Sequence, residues 1–254
     1  MGRTVYQSLR SDAALRVTHV LESPAHLTAV KRELGEDVQG VSSLHEIAVL
    51  PDFAVECAGH AAVQTVVPDL LERGVTCIIA SIGSLATPGL PERLEQAALR
   101  GGAQLIPVAG ALAGIDALAA AREAGLEAVS YVGRKAPKSW LGTAAESRID
   151  LQGLNTATPF FQGSAREAAR LFPQNANVAA MTGLSGLGLD RTAVTLIADP
   201  EVSRNTHLIT ASGAFGRMEV KVEALPLSSN PKTSALAAYS IIRQAKLQAA
   251  ALGF

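Results

Sequence analysis

Residues 75–80, which read VTCIIA, form a short apolar run, and no other feature constrains the fold of this chain more. A strand that is apolar all round needs cover on both faces, and it finds that inside a parallel sheet flanked by helices. The surrounding sequence supplies such helices. Val63, Val66, Val67, Leu70 and Leu71 recur at i, i+3, i+4, i+7 and i+8, and Gly74 stands where that helix would be capped. Leu90, Leu94, Ala97 and Ala98 repeat the pattern ahead of Gly101, and a further apolar run, Gln104 to Val108, follows. Upstream, residues 16–21 (RVTHVL) and 53–57 (FAVEC) are valine-rich runs of strand length. Strands and helices alternating at this spacing predict an α/β, doubly wound parallel sheet.

The pattern changes after about residue 109. A helix is expected over Ile115 to Ala124 and a strand over Ala128 to Lys135. A long, small-residue helix is expected from Ser164 to Gly186, opened by a capping box of Ser164 and Glu167. Three strand-like runs come next: Ala193 to Ala198, Asn205 to Ala211 and Phe215 to Val222. A helix followed by a run of strands predicts a mixed or antiparallel sheet in an α+β unit. A last helix is expected to start at Asn230-Pro231, as N-cap and first-turn proline, and to run to about Ala250.

Composition excludes several functions. A net charge of −1 provides no field to draw the chain onto nucleic acid or an anionic membrane. No segment reaches the roughly 20 apolar residues of a membrane span, and the opening residues MGRTVYQ carry no signal-peptide core. Two cysteines without a CxxC, and five histidines without HxH or HExxH spacing, argue against a disulfide framework and a metal site. A soluble, reducing compartment, the cytoplasm, is expected.

A doubly wound sheet binds its ligands beyond the carboxyl ends of its strands. Two small, glycine-bearing loops fall there, Cys57-Ala58-Gly59-His60 and Ser81 to Ala86. No G-x-G-x-x-G follows a first strand. Instead Gly2, ahead of an amphipathic helix begun by Thr4, Val5 and Leu9, reads as the end of a dinucleotide fingerprint whose earlier glycines and strand are missing. Glu22 stands 20 residues further on, about the distance to the acid that holds an adenosine ribose. That carboxylate would favour NAD over NADP by repelling a 2′-phosphate. The trio Gly183, Gly186 and Gly188 follows a helix rather than a strand and reads as close packing.

Several ordered segments resemble the L-aspartate dehydrogenase family. They are VECAGHAAV (55–63), IPVAGALAGIDAL (106–118), YVGRKAPKSWLGT (131–143), GSAREAARLFPQNANVAA (163–180), GLGLDRTAV (186–194), NTHLITASGAFGRMEV (205–220) and NPKTSALAAYS (230–240). The resemblance implies a Rossmann-like dinucleotide-binding domain over residues 1–109, completed by the helix of 230–254. A catalytic and dimerising α+β domain would occupy 110–229. It also implies oxidation of L-aspartate by NAD or NADP, giving iminoaspartate and then oxaloacetate and ammonia, in a homo-oligomer. The family's active-site histidine maps onto His207, and its cofactor contacts map onto Ala111 and Asn177. Position alone would make His207 a hydrogen-bonded structural histidine on a strand. Two carboxylates on the substrate call for cations, and Arg134, Lys135 and Lys138, or Lys232 with Thr233 and Ser234, are the candidates. Family members begin with a central strand that is not seen here, so Met1 is expected to be an internal methionine of a longer product. A homoserine-dehydrogenase-like enzyme and an impaired dinucleotide-binding protein are the rival readings.

Overall fold

The computed structural model describes residues 1–173, 176–227 and 230–253. Its first half contains α1 (Gly2–Arg10), β1 (His19–Leu21), α2 (Pro24–Lys31), β2 (Gln39–Val41), β3 (Phe53–Glu56), α3 (His60–Thr65), α4 (Val67–Glu72), β4 (Thr76–Ile79), α5 (Leu90–Gly101) and β5 (Leu105–Pro107). Strands β3, β4 and β5 pair in parallel in that order, with Glu56 opposite Ile79 and Ile79 opposite Pro107. Cys77, Ile78 and Ile79 are all buried, as an apolar strand inside a parallel sheet should be. Strands β1 and β2 make a separate parallel pair. Between β1 and β3 lies a cavity of about 1140 Å³, lined by residues 17–22, 53–58 and the first turn of α1.

The second half contains α6 (Ile115–Ala124), β6 (Leu126–Lys135), β7 (Thr158–Ser164), α7 (Ala165–Leu171), α8 (Ala176–Ser185), β8 (Ala193–Ala198), β9 (Asn205–Gly213), β10 (Gly216–Ala224), β11 (Pro226–Leu227), β12 (Asn230–Ser234) and α9 (Ala235–Leu247). Its mixed sheet has the order β10-β9-β6-β8-β7, with β6 antiparallel to β9 and parallel to β8. Helix α9 returns to the first half and packs on α1 and β4. The architecture is a Rossmann-like unit joined to an α+β unit.

Three expected helices come out differently, and proline is involved each time. The helix of residues 63–71 is two helices, because Pro68 has no N–H to continue the ladder. The Gln64 carbonyl accepts from the Arg93 guanidinium instead. The helix expected over Ser164 to Gly186 is also two. Its capping box is present, with the Glu167 N–H donating to Ser164 Oγ at 3.2 Å and the Ser164 N–H to Glu167 Oε2 at 2.8 Å. Phe172, however, leaves helical geometry at φ −128°, ψ 63°, as residues before a proline tend to do. The last helix starts at Ala235 rather than Asn230. Residues 230–234 pair with β11, and Pro231 is tolerated because, among the described residues, β12 has a single partner strand. Helix α2 and strands β2, β7, β11 and β12 carry no strong periodicity, and the sequence reading did not anticipate them.

Close packing accounts for two of the glycine trio, Gly183 and Gly186, whereas Gly188 has open space around it and needs glycine for its φ of 87°. A Cβ at Gly186 would stand 3.2 Å from Val129 on β6, and one at Gly183 would stand 3.2 Å from Ala165 on α7. The centre of the second half is aromatic. Trp140 meets Phe160 edge-on at 4.7 Å, Phe160 meets Phe172 at 5.5 Å, and the indole N–H donates to the Ile197 carbonyl at 3.2 Å. Trp140 has no exposed surface. Trp140→Ala should therefore cost about 3–5 kcal/mol, read as a lowered urea midpoint.

Candidate functional site

The carboxyl ends of β3, β4 and β5 present three turns side by side, at residues 57–60, 81–86 and 108–114. A buried carboxylate fixes the first two. Glu56, the last residue of β3, accepts at Oε1 from the N–H groups of Ala58 and Gly59, both at 2.7 Å, and from Ser81 Oγ at 2.9 Å. Its Oε2 accepts from the N–H groups of Ala80 at 3.2 Å and Ser81 at 3.0 Å. Gly59 leaves the strand at φ 114°, a backbone state that a side chain would strain, and opens α3. The sequence reading missed Glu56. The available signal was a carboxylate at the end of an otherwise apolar strand, just before a glycine turn.

The third turn carries Ala111, which is buried. It is anchored by the Gly110 N–H, which donates to Ser240 Oγ on α9 at 3.1 Å. Asn177, at the start of α8, reaches across to the second turn, where its Oδ1 accepts from the Gly83 N–H at 2.8 Å. The side-chain amide also carries two hydrogens that can donate. Arg166 on α7 ties down the same turn by donating to the Ala86 carbonyl at 3.1 Å. Asn177 and Ala111 thus both belong to the carboxyl-end edge of the parallel sheet.

Gly2 and Glu22 lie elsewhere on that unit, and both line the cavity between β1 and β3. A Cβ at Gly2 would meet only Cys57 Cβ at 3.7 Å, an ordinary contact, so protein packing does not demand glycine there. Glu22 is half-buried at the end of β1, and its Oε1 accepts from the Ser23 N–H at 2.7 Å.

His207 sits on β9, directly opposite Gly133 of β6 and Val222 of β10. It is 3% exposed, and its Nδ1 lies 2.8 Å from the hydroxyl of buried Tyr131. Burial, and then repulsion by Lys135, brings its pKa down to about 3, so the imidazole is neutral at working pH. The third turn reaches this sheet face at Gly114, where a Cβ would stand 2.8 Å from Val220 Cγ2. Val220 pairs with Ile209, two residues from His207 on the same face. The turn that bears Ala111 and the strand that bears His207 are therefore neighbours.

The structure separates the candidate cations. Arg134 points to the opposite face of β6 and pairs with buried Asp199 at 2.8 Å. Lys135 lies on the His207 face, 5.1 Å from the Trp140 ring centroid, and burial lowers its pKa to about 8. Lys138 is exposed. Thr233 and Ser234 lie on β12 rather than on the last helix, and the Lys232 side chain lies outside the described residues. Among the described residues no His, Cys, Asp or Glu cluster could hold a metal ion, and no helix is long and apolar enough to cross a membrane.

Comparison with known proteins agrees with a Rossmann-like unit joined to an α+β unit. Residues 116–247 match the family model "Aspartate dehydrogenase, C-terminal", and residues 1–107 match "Homoserine dehydrogenase, NAD binding domain". The chain is 49% identical over 245 residues to an L-aspartate dehydrogenase of Pseudomonas aeruginosa, covering 96% of this chain and 92% of that one. It is 52% identical over 247 residues to an L-aspartate dehydrogenase of Ralstonia nicotianae, with the same coverage. The crystal structure of aspartate dehydrogenase from Thermotoga maritima superposes with a TM-score of 0.72 at 28% identity, covering 94% of this chain and 99% of that one.

Two outcomes follow from the site's electrostatics. Glu56→Gln would turn an acceptor into a donor facing backbone N–H groups, and it should cost about 1–3 kcal/mol in denaturant unfolding. His207 titrates near 6.5 when unfolded and near 3 when folded, so in between the unfolded chain binds a proton that the native chain refuses. Its contribution is intact above pH 6.5 and lost as pH falls toward 3. His207→Gln should lose less stability than the parent chain between pH 7 and pH 4 in urea midpoints.

Proposed function

The chain belongs to the L-aspartate dehydrogenase family, and from that premise we propose that it oxidises L-aspartate with NAD(P)+ to iminoaspartate, which hydrolyses to oxaloacetate and ammonia. In the cell this imine would feed the making of NAD. The observation that carries the reading is the contact at Gly114 and Val220, where the Ala111 turn meets the His207 face. A bound NAD(P)+ would supply the acceptor for the hydride that leaves Cα.

The residues present suit such a dinucleotide. Asn177, with its oxygen held by Gly83, offers amide hydrogens to a nicotinamide carboxamide, and Ala111 offers backbone and room. Gly2 and Glu22 would take the adenosine side, with the Glu22 carboxylate accepting from ribose hydroxyls and favouring NAD. We assign cofactor binding to residues 1–109 with 230–254, and catalysis to 110–229.

His207 has the acid/base and orienting role. Hydride departure from Cα is easier when the amine is neutral, so a group that manages the nitrogen's protons or the attacking water is useful. The ring is neutral before substrate arrives, and the substrate's two carboxylates would raise its proton affinity on binding. Lys135, on the same face, would be the candidate cation for one of those carboxylates. Self-association as a homo-oligomer completes the proposal, and sedimentation of the purified chain checks it.

The homoserine-dehydrogenase-like reading draws support from the match over residues 1–107, but that half holds cofactor and does not select substrate. The test is NADH and NADPH formation with aspartate and with homoserine. Turnover with aspartate alone is expected, and turnover with homoserine alone would overturn the proposal. Stabilisation by NADH with no turnover would favour an impaired binding protein. His207→Ala should cut turnover by about 10²-fold or more with NADH affinity nearly unchanged.

A further inference from the structure

A buried imidazole works differently according to which nitrogen carries its proton, and the neighbour of the other nitrogen sets that choice. His207 Nδ1 lies 2.8 Å from Tyr131 Oη, with the rings 6.0 Å apart and 18° from parallel. Tyr131 is 1% exposed, and burial pushes its acidity well below the ordinary range, so the phenol keeps its proton. Among the described residues His207 is the partner of that hydroxyl. If Nδ1 carried the proton, two donors would face each other unless the phenol hydrogen turned away. It would then be left buried without an acceptor, which is costly. With the phenol donating to Nδ1, both groups are satisfied and the imidazole proton sits on Nε2.

The strand is built to allow this contact. Tyr131, Gly133 and Lys135 alternate onto one face of β6, and Gly133 is directly opposite His207. A Cβ at Gly133 would stand 2.7 Å from Tyr131 Oη and 3.2 Å from Leu196 Cδ2. Only a glycine leaves room for the phenol to lie along its own strand and reach the imidazole of the next. Tyr131 and Gly133 therefore act together on His207, Gly133 through the space it leaves.

We infer that Tyr131 is a positioning residue that holds His207 as its Nε2–H tautomer, so that the imidazole meets the substrate as a hydrogen-bond donor. The inference rests on the site reading above and narrows it, giving the orienting half of the role to the ligand-free ring. The donor's partner would be a substrate oxygen, a carboxylate for choice. Tyr131 itself touches no reacting atom.

The test combines nitrogen-15 spectra of histidine-labelled protein with steady-state kinetics. His207→Ala assigns the resonances by their disappearance. The parent chain should show His207 protonated on Nε2 and bare on Nδ1. Tyr131→Phe keeps the ring and removes the donor, so it should blur that preference. It should lower kcat roughly tenfold, the worth of one hydrogen bond, with KM for the coenzyme unchanged. Gly133→Ala keeps both partners but displaces the hydroxyl, and it should give the same spectral change. A proton on Nδ1 in the parent chain, or full turnover in Tyr131→Phe, overturns the inference. Should Tyr131→Phe fail to fold, the parent tautomer decides alone. Full turnover in His207→Ala removes the underlying site reading as well. A loss there with none in Tyr131→Phe removes only the tautomer assignment.

Discussion

Strand β6 is hydrogen-bonded along both edges, antiparallel to β9 and parallel to β8, and the second half takes its geometry from that double pairing. A strand paired on two sides cannot slip on one side without breaking the other. Its register sets Gly133 against His207 and Tyr131 against Ile209. A shift of one residue would bring Val132 or Arg134 opposite the histidine and turn the imidazole toward the other face. Arg134, held on that other face by Asp199, resists such a shift.

The two halves share one apolar core cluster, and a few polar contacts join them at the site. The turn after β4 is held from its own sheet by Glu56 and from the second half by Asn177 and Arg166. The turn after β5 is held by Ser240 of the returning last helix and reaches β10 at Gly114. Each turn is thus pinned from both units, which gives a ligand lying across them a surface of fixed shape. Charged acceptors such as the Glu56 carboxylate make the stronger hydrogen bonds, and burial out of water strengthens them further.

Much of this was legible in the sequence where periodicity is strong. The apolar run at β4, the helix from Ile115 to Ala124 and the strand from Ala193 to Ala198 lie where the pattern puts them. Prolines 68, 173 and 231 spoiled the helix boundaries, because the spacing of apolar side chains says nothing about a missing N–H. Strand β7 went unread because its pattern is interrupted by Pro159 and Gly163. The candidate site was proposed mainly through resemblance. One histidine on a strand points to no chemistry by itself, and Tyr131, 76 positions away in sequence, becomes its neighbour only once β6 and β9 pair. Glu56 was hidden for the same reason, since its partners come from two separate turns.

The cavity between β1 and β3 has a mechanical consequence. It leaves the two-stranded sheet β1-β2 and the three-stranded sheet β3-β4-β5 without a shared ladder among the described residues. Side-chain packing rather than main-chain pairing therefore sets how those two sheets sit, and packing tolerates small sliding that a hydrogen-bonded register does not. In the other half five strands form one sheet, beside the aromatic knot of Trp140, Phe160 and Phe172, and its strands are locked to one another residue by residue.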